Sequence, residues 1–138
     1  MSVTVILNGY RRPKNLPLQI QAIKNQTVKP DQIWLWINHH EDFYKEPVDY
    51  DVDRIVKNDH NWKYFGRFAL AMLAQTEFVA LFDDDTVPGN RWLENCLETY
   101  SKQPCIIGGV GLQLNSEEFY MDHERFGWPS HNEDITEV

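Results

Sequence analysis

Three consecutive carboxylates, Asp83, Asp84 and Asp85, close the short apolar run Phe78-Val-Ala-Leu-Phe82, and Thr-Val-Pro-Gly89 follows at once. Neighbouring carboxylates repel one another, and a cation placed among them offsets that repulsion. A hard divalent ion suits the purpose. Mg²⁺ and Mn²⁺ take oxygen ligands from one or two carboxylates together with the phosphate oxygens of a bound substrate. Most charge runs are simply solvated, but the position of this one argues for chemistry. An apolar run of five bounded by turn formers reads as a strand buried on both faces of a parallel sheet. The carboxyl ends of such strands are where ligands sit in open α/β sheets.

Other residues extend the pattern. Tyr10 lies in a turn between Gly9 and Arg11, where its ring can stack on a base; Arg11 and Arg12 can approach phosphate. Asn38 ends a second apolar run, and its amide can both donate and accept, so it matches the N3–H and O4 edge of uracil. A turn cap accounts for it equally well. His39 and His40 beside Glu41 and Asp42 suggest a transition-metal site, against which stands the divergence of adjacent side chains in an extended chain. At Gly66-Arg67, a glycine permits close backbone approach and an arginine supplies a planar fork for phosphate or carboxylate. Arg67 can equally pair with Asp83 or Asp84.

The elements that must position these residues are legible as alternating patterns. Val3-Thr-Val-Ile-Leu7 and Ile33-Trp-Leu-Trp-Ile37 read as strands, Arg54-Ile-Val56 as a short third, Phe78–Phe82 as a fourth and Cys105-Ile-Ile-Gly-Gly109 as a fifth. Leu16 to Asn25 carries Leu16, Ile20 and Ile23 at helical spacing, with Pro17 suited to the first turn. A second helix is expected from Trp62 to Ala74, with Phe65, Phe68, Ala69, Met72 and Leu73 on one side. A third is expected from Arg91 to Ser101, with Trp92, Leu93, Cys96, Leu97 and Tyr100 as its stripe. Strands alternating with helices predict a mostly parallel sheet covered on both faces. After Ser116 the pattern is lost and a loop-rich segment is expected.

The 138 residues are 42% hydrophobic and 13% aromatic, a globular composition for one domain. A net charge of −8 argues against nucleic acid as a partner. It does not argue against a nucleotide whose diphosphate a metal neutralises. No apolar run is long enough for a signal peptide or a membrane span. Cys96 and Cys105 are expected to be free, buried thiols, and a cytoplasmic location is the expectation.

Together these residues resemble the nucleotide-binding half of a GT-A glycosyltransferase, nearest to the family 2 type. Val3-Thr-Val-Ile-Leu-Asn-Gly-Tyr-Arg-Arg-Pro-Lys-Asn-Leu16 is similar to that family's first strand and loop. Ile23-Lys-Asn-Gln-Thr27 is similar to its helix end, and Phe82-Asp-Asp-Asp-Thr-Val-Pro-Gly-Asn-Arg-Trp92 to its DXD metal motif. The resemblance implies a Rossmann-like α/β/α sandwich over residues 1–138, cut short before an acceptor-binding half that would begin within 115–138. It implies transfer from a nucleotide-diphosphate sugar, with a UDP-sugar favoured, to the hydroxyl of a glycan or other acceptor. Asp85 with Asp83 would hold Mn²⁺ or Mg²⁺. Asn8, Tyr10, Arg11, Asn38, Arg67, Asp83 and Asp84 would line the nucleotide-sugar site.

Two departures accompany the resemblance. The family's second strand usually ends in aspartate, and here Asn38-His39 stands there. The acceptor-binding half of such enzymes supplies a general base, often in an "E-D" motif. Glu133-Asp134 copies those letters but comes too soon after the fifth strand, so the base is expected to be absent, although Thr136-Glu-Val138 reads as the start of another strand. Two rivals remain. One is a UDP-sugar-binding module without transfer activity. The other is a haloacid-dehalogenase-like phosphatase, since Asp83-Asp-Asp-Thr-Val87 fits its nucleophile motif, with far too little chain after it for the rest of that machinery.

Overall fold

Every residue of the first strand, β1 (Val3–Gly9), is buried, as expected of a strand paired on both sides and covered on both faces. It lies between two parallel neighbours, β2 (Gln32–Ile37) and β4 (Phe78–Asp83), and β3 (Arg54–Lys57) adds parallel to the far side of β2. The sheet order is β3-β2-β1-β4. A computed structural model describes residues 1–43 and 49–127 of the chain. The chain divides into two compact units, Met1–Leu97 and Glu98–Val138. The α/β architecture with a mostly parallel sheet is as the sequence predicts.

Side-chain alternation along the strands builds two separate cores. Val3, Val5 and Leu7 of β1 point to one face with Ile33, Leu35 and Ile37 of β2 and Phe82 of β4, against Leu16, Ile20 and Ile23 of α1 (Leu16–Lys24). Leu93, in the first turn of α3 (Trp92–Lys102), packs in the same cluster, and the rings of Phe82 and Trp92 meet edge to face at 4.8 Å. Ile6, Trp34 and Trp36 point to the other face, where Leu70 of α2 (Phe65–Ala71) covers them.

The second helix turns out differently from its expected stripe. It is shorter than residues 62–74, and it buries Gly66 and Leu70 while Phe65, Phe68, Met72 and Leu73 are exposed. The reason is the size of its partners. Two tryptophans already fill the space above β2, so the helix must present its smallest residue there. A Cβ on Gly66 would stand 2.1 Å from the Trp36 ring. Glycine is chosen at this position by packing rather than by backbone conformation.

The fifth strand is also corrected. Residues 105–109 are irregular, and the following residues form an antiparallel pair, β5 (Val110–Leu114) with β6 (His123–Gly127), in the second unit. Gly108-Gly109 removes side chains where a strand would pack them, and Gly127, at φ +94°, sits opposite Val110 with its α-carbon side close against the Gly109 carbonyl. Cys96 is half-buried, with its thiol pushed up to about 11 by burial. Cys105 is exposed rather than buried, and both thiols are free. No helix among the described residues is long and apolar enough to cross a membrane. Glu133-Asp134 and the strand start at 136–138 lie outside the described residues.

Gly66→Ala tests the α2 packing by its sign. Helix propensity alone would make alanine stabilising by roughly 1 kcal/mol, whereas overpacking against Trp36 costs about 1–3 kcal/mol. Urea denaturation should show a lower midpoint; a higher one would mean that α2 does not rest on Trp36.

Candidate functional site

The direction in which the chain leaves β1 for its neighbours reverses between β1 and β4, since β2 and β3 lie on one side and β4 on the other. Ligands in open α/β sheets bind beyond the carboxyl ends of strands at such a reversal. The last register pair across it is Asn8 with Asp83, so the acidic run emerges at that reversal.

The three aspartates have three environments. Asp83 is half-exposed. It forms an ion pair with Arg67, which comes from the first turns of α2, and accepts a long 3.4 Å hydrogen bond from the Asn8 amide. The Arg67 side chain is 11% exposed and lies near the rings of Tyr64 and Phe68, at 5.7 and 5.6 Å. Asn8 Oδ1 and Arg67 Nε are buried without a protein partner. An acceptor and a donor thus stand unused next to Asp83, in a place where buried polar atoms are ordinarily satisfied.

Asp84 is 5% exposed and turns inward. Its Oδ2 accepts the backbone N–H groups of Tyr10, Arg11 and Arg12 at 3.1, 2.8 and 3.1 Å, and its Oδ1 accepts the Arg12 guanidinium at 2.7 Å. Successive N–H groups in a turn form a concavity suited to an anion, and here the chain's own carboxylate fills it. Burial pushes the Asp84 carboxyl upward, but the hydrogen bonds from Arg11, Arg12 and Tyr10 outweigh it, and the group is held below the ordinary carboxylate range. Asp84 is therefore ionised, and both of its oxygens serve the loop after β1.

Asp85 faces outward, with its side chain 56% exposed. Its Oδ2 lies 3.3 Å from the Arg12 guanidinium, and the Thr86 hydroxyl lies 3.4 Å from its Oδ1. The turn is closed by the Thr86 N–H donating to the Asp83 carbonyl at 3.1 Å.

Three residues outside the expected set hold this turn. Gln19 of α1 is fully buried and donates its amide to the carbonyls of Asp83 and Thr86. Asn15 donates to the Asp84 carbonyl at 2.8 Å. Gln26 donates to the Gly89 carbonyl at 2.6 Å and accepts the Leu93 N–H at 3.0 Å, which joins the end of α1 to the start of α3. Gln19 left a signal in the sequence: a polar residue three positions from Leu16 and four before Ile23, on the face that packs the core.

Beside the segment after β2, the Tyr10 ring lies edge-on to His40 at 5.0 Å, with the Arg11 guanidinium 5.0 Å from its centroid. The Tyr10 hydroxyl accepts a hydrogen bond from Asn61 at 3.1 Å. Asn38 is buried, and its amide is already engaged. It donates to Asn61 at 2.6 Å and to the Lys63 carbonyl, and it accepts the Trp62 N–H at 2.8 Å. The Asn61 side chain also accepts the Lys63 N–H at 2.8 Å, and Lys63 adopts φ 52°, a left-handed conformation that such local bonds maintain. Asn61 thus links Tyr10 to Asn38, a connection that no spacing in the sequence announces.

His40 Nδ1 lies 3.1 Å from the Asp42 carboxylate. Among the described residues no three of His, Cys, Asp and Glu converge in a metal-holding group. Asp83 and Asp85 are half-exposed carboxylates, a donor set that fits a hard cation completed by phosphate and water oxygens and does not form a closed protein cage.

Asp84→Asn should lower stability by about 3 kcal/mol at neutral pH, the usual cost of breaking a buried, hydrogen-bonded charge. Because its folded pKa is depressed, the stability Asp84 contributes is present above its unfolded value near ~3.9 and is lost as pH falls through the folded one. The gap between variant and parent in thermal unfolding should therefore be full above about pH 4 and narrow progressively as pH falls further; a gap that persists unchanged in acid would contradict the assignment.

The family model for glycosyl transferase family 2 matches residues 4–137. A glucosyl-dolichyl phosphate glucuronosyltransferase from Haloferax volcanii is 25% identical over an alignment covering 98% of this chain and 49% of the relative. The chain thus spans about half the length of the curated relative it matches.

Proposed function

Because the chain belongs to glycosyl transferase family 2, we propose that the crevice at the carboxyl ends of β1 and β4 binds a nucleotide-diphosphate sugar, with a UDP-sugar favoured, and that the protein transfers the sugar to an acceptor hydroxyl. The observation that carries this reading is the attachment of the β1 loop to the aspartate turn through Asp84. It makes Tyr10, Arg11 and Arg12 one wall with Asp83 and Asp85. A base against Tyr10 and a diphosphate against Asp85 would lie at the two ends of that wall.

Each residue then has a role set by its surroundings. Tyr10 offers its ring to the base; Asn38 acts mainly through Asn61 and the turn it holds, since its amide is occupied. Asn8 and Arg67 hold the half-exposed Asp83 carboxylate in place, where it can meet the ribose. Arg12, beside Asp85, adds positive charge near the diphosphate, and the Arg11 guanidinium lies over the Tyr10 ring at the base end. Asp85, with Asp83, would hold Mn²⁺ or Mg²⁺, which when bound neutralises the charge growing on the departing diphosphate. Interactions that strengthen as that charge develops accelerate transfer, and uniform binding does not.

No described residue is assigned as the base for the acceptor hydroxyl. A second reading is a donor-binding module without transfer activity of its own. The family assignment displaces the phosphatase reading.

Thermal unfolding with UDP, GDP, CDP or ADP, each with Mn²⁺, Mg²⁺ or EDTA, tests the donor. A nucleotide at ~100 times its Kd stabilises by roughly 2.7 kcal/mol, a shift of several degrees for a domain of this size. UDP with Mn²⁺ should give the largest shift, and Asp85→Ala should abolish it. A response to none of the nucleotides, or one indifferent to Asp85, would contradict the proposal.

A further inference from the structure

The aspartate turn carries three negative charges, and two arginines meet them in different ways. Arg67 is buried to the guanidinium, lies beside two aromatic rings and pairs with Asp83. Arg12 is 51% exposed and bridges two carboxylates, at 2.7 Å to Asp84 and 3.3 Å to Asp85. We infer that Arg12 is a built-in counter-ion of the turn that gives up Asp85 for the diphosphate when the donor binds. The inference rests on the donor-site reading above and adds to it a residue that changes partners.

The two contacts of Arg12 differ in strength for physical reasons. Asp84 is buried and held by three N–H groups, one of them Arg12's own. That end is fixed. The contact with Asp85 joins two half-exposed side chains over a longer distance, and such pairs are weak and screened by salt. A guanidinium carries five donors in a planar fork suited to two phosphate oxygens, and one nitrogen makes both of the contacts seen here. Arg12 can therefore keep Asp84 as a pivot and still present its remaining donors to an anion beside Asp85.

A cation approaching Asp85 competes with Arg12 for that carboxylate. A diphosphate arriving with the cation gives Arg12 a replacement acceptor and removes the competition. Metal and diphosphate should accordingly bind with positive coupling, each tightening the other to the same extent. Loss of the Arg12 charge should then have effects of opposite sign: the metal alone binds more tightly and the diphosphate less tightly. A residue that only maintained the loop would weaken both.

The test uses the full chain and its Arg12→Gln and Arg12→Lys variants, with Mn²⁺ and inorganic pyrophosphate as probes. Calorimetry and the Mn²⁺ electron paramagnetic signal report binding of each alone and of both together, and unfolding midpoints report folding. In Arg12→Gln, Mn²⁺ alone should bind about two- to fivefold more tightly, as expected for release from a surface ion pair. Pyrophosphate at saturating Mn²⁺ should bind about tenfold more weakly, as expected for a lost charge-assisted hydrogen bond. Arg12→Lys, which keeps the charge and loses the fork, should keep Mn²⁺ binding close to the parent's and recover pyrophosphate binding only in part. Parallel weakening of both probes in Arg12→Gln, or no change in either, overturns the inference while leaving the donor site standing. A parent protein that binds neither probe, alone or together, removes the donor-site reading and this inference with it.

Discussion

A buried carboxylate is costly unless the energy lost on leaving water is returned by hydrogen bonds and opposite charge. Asp84 has both. Three consecutive backbone N–H groups converge on one of its oxygens and an arginine on the other. The arrangement works in both directions: the loop after β1 neutralises Asp84, and Asp84 gives that loop a single shape. Without it, the exposed Arg12–Asp85 pair and the Asn15 amide would be left to tie the loop to the aspartate turn, since strand pairing ends at Asn8 and Asp83 on that side. The run of three aspartates is thus one anchor flanked by two outward-facing carboxylates.

The sheet beneath the site sets the other constraint. β1 is covered on both faces, by α1 with the start of α3 on one and by α2 on the other. The close approach of α2 depends on Gly66 facing Trp36, and Arg67 follows Gly66 directly, so the packing that seats the helix also delivers its guanidinium to Asp83. On the opposite face Gln19 and Gln26 do similar work with amides. Gln19 bonds the carbonyls of Asp83 and Thr86, and Gln26 that of Gly89, at the end of β4 and just beyond it, as buried backbone groups require.

Much of this was legible in the sequence because its causes are local. The buried strands, the turn formers after them and the helical spacing of Leu16, Ile20 and Ile23 determine the sheet and α1 without tertiary information. The carboxyl-end position of Asp83–Asp85 follows from the same pattern. The expected stripe of α2 fails because Phe65, Phe68, Met72 and Leu73 form the more apolar side, while the tryptophans that decide which side is buried lie about thirty residues earlier. Residues 105–109 have strand composition, but two glycines leave them nothing to pack. Asp84 looked equivalent to its neighbours, since the N–H groups that distinguish it lie in a loop more than seventy residues away. Asn61 was invisible for the same reason.

In the proposed donor site the β1 loop and the aspartate turn form one wall. Paramagnetic broadening in the ¹H–¹⁵N spectrum of the labelled chain, recorded with UDP and substoichiometric Mn²⁺, tests it most directly. Amides of Asp83–Thr86 and Tyr10–Arg12 should broaden first and together, with residues 39–42 less affected and β3 unchanged. Broadening centred on His39–Asp42, or spread over the acidic surface without preference for the β1–β4 crevice, would contradict it.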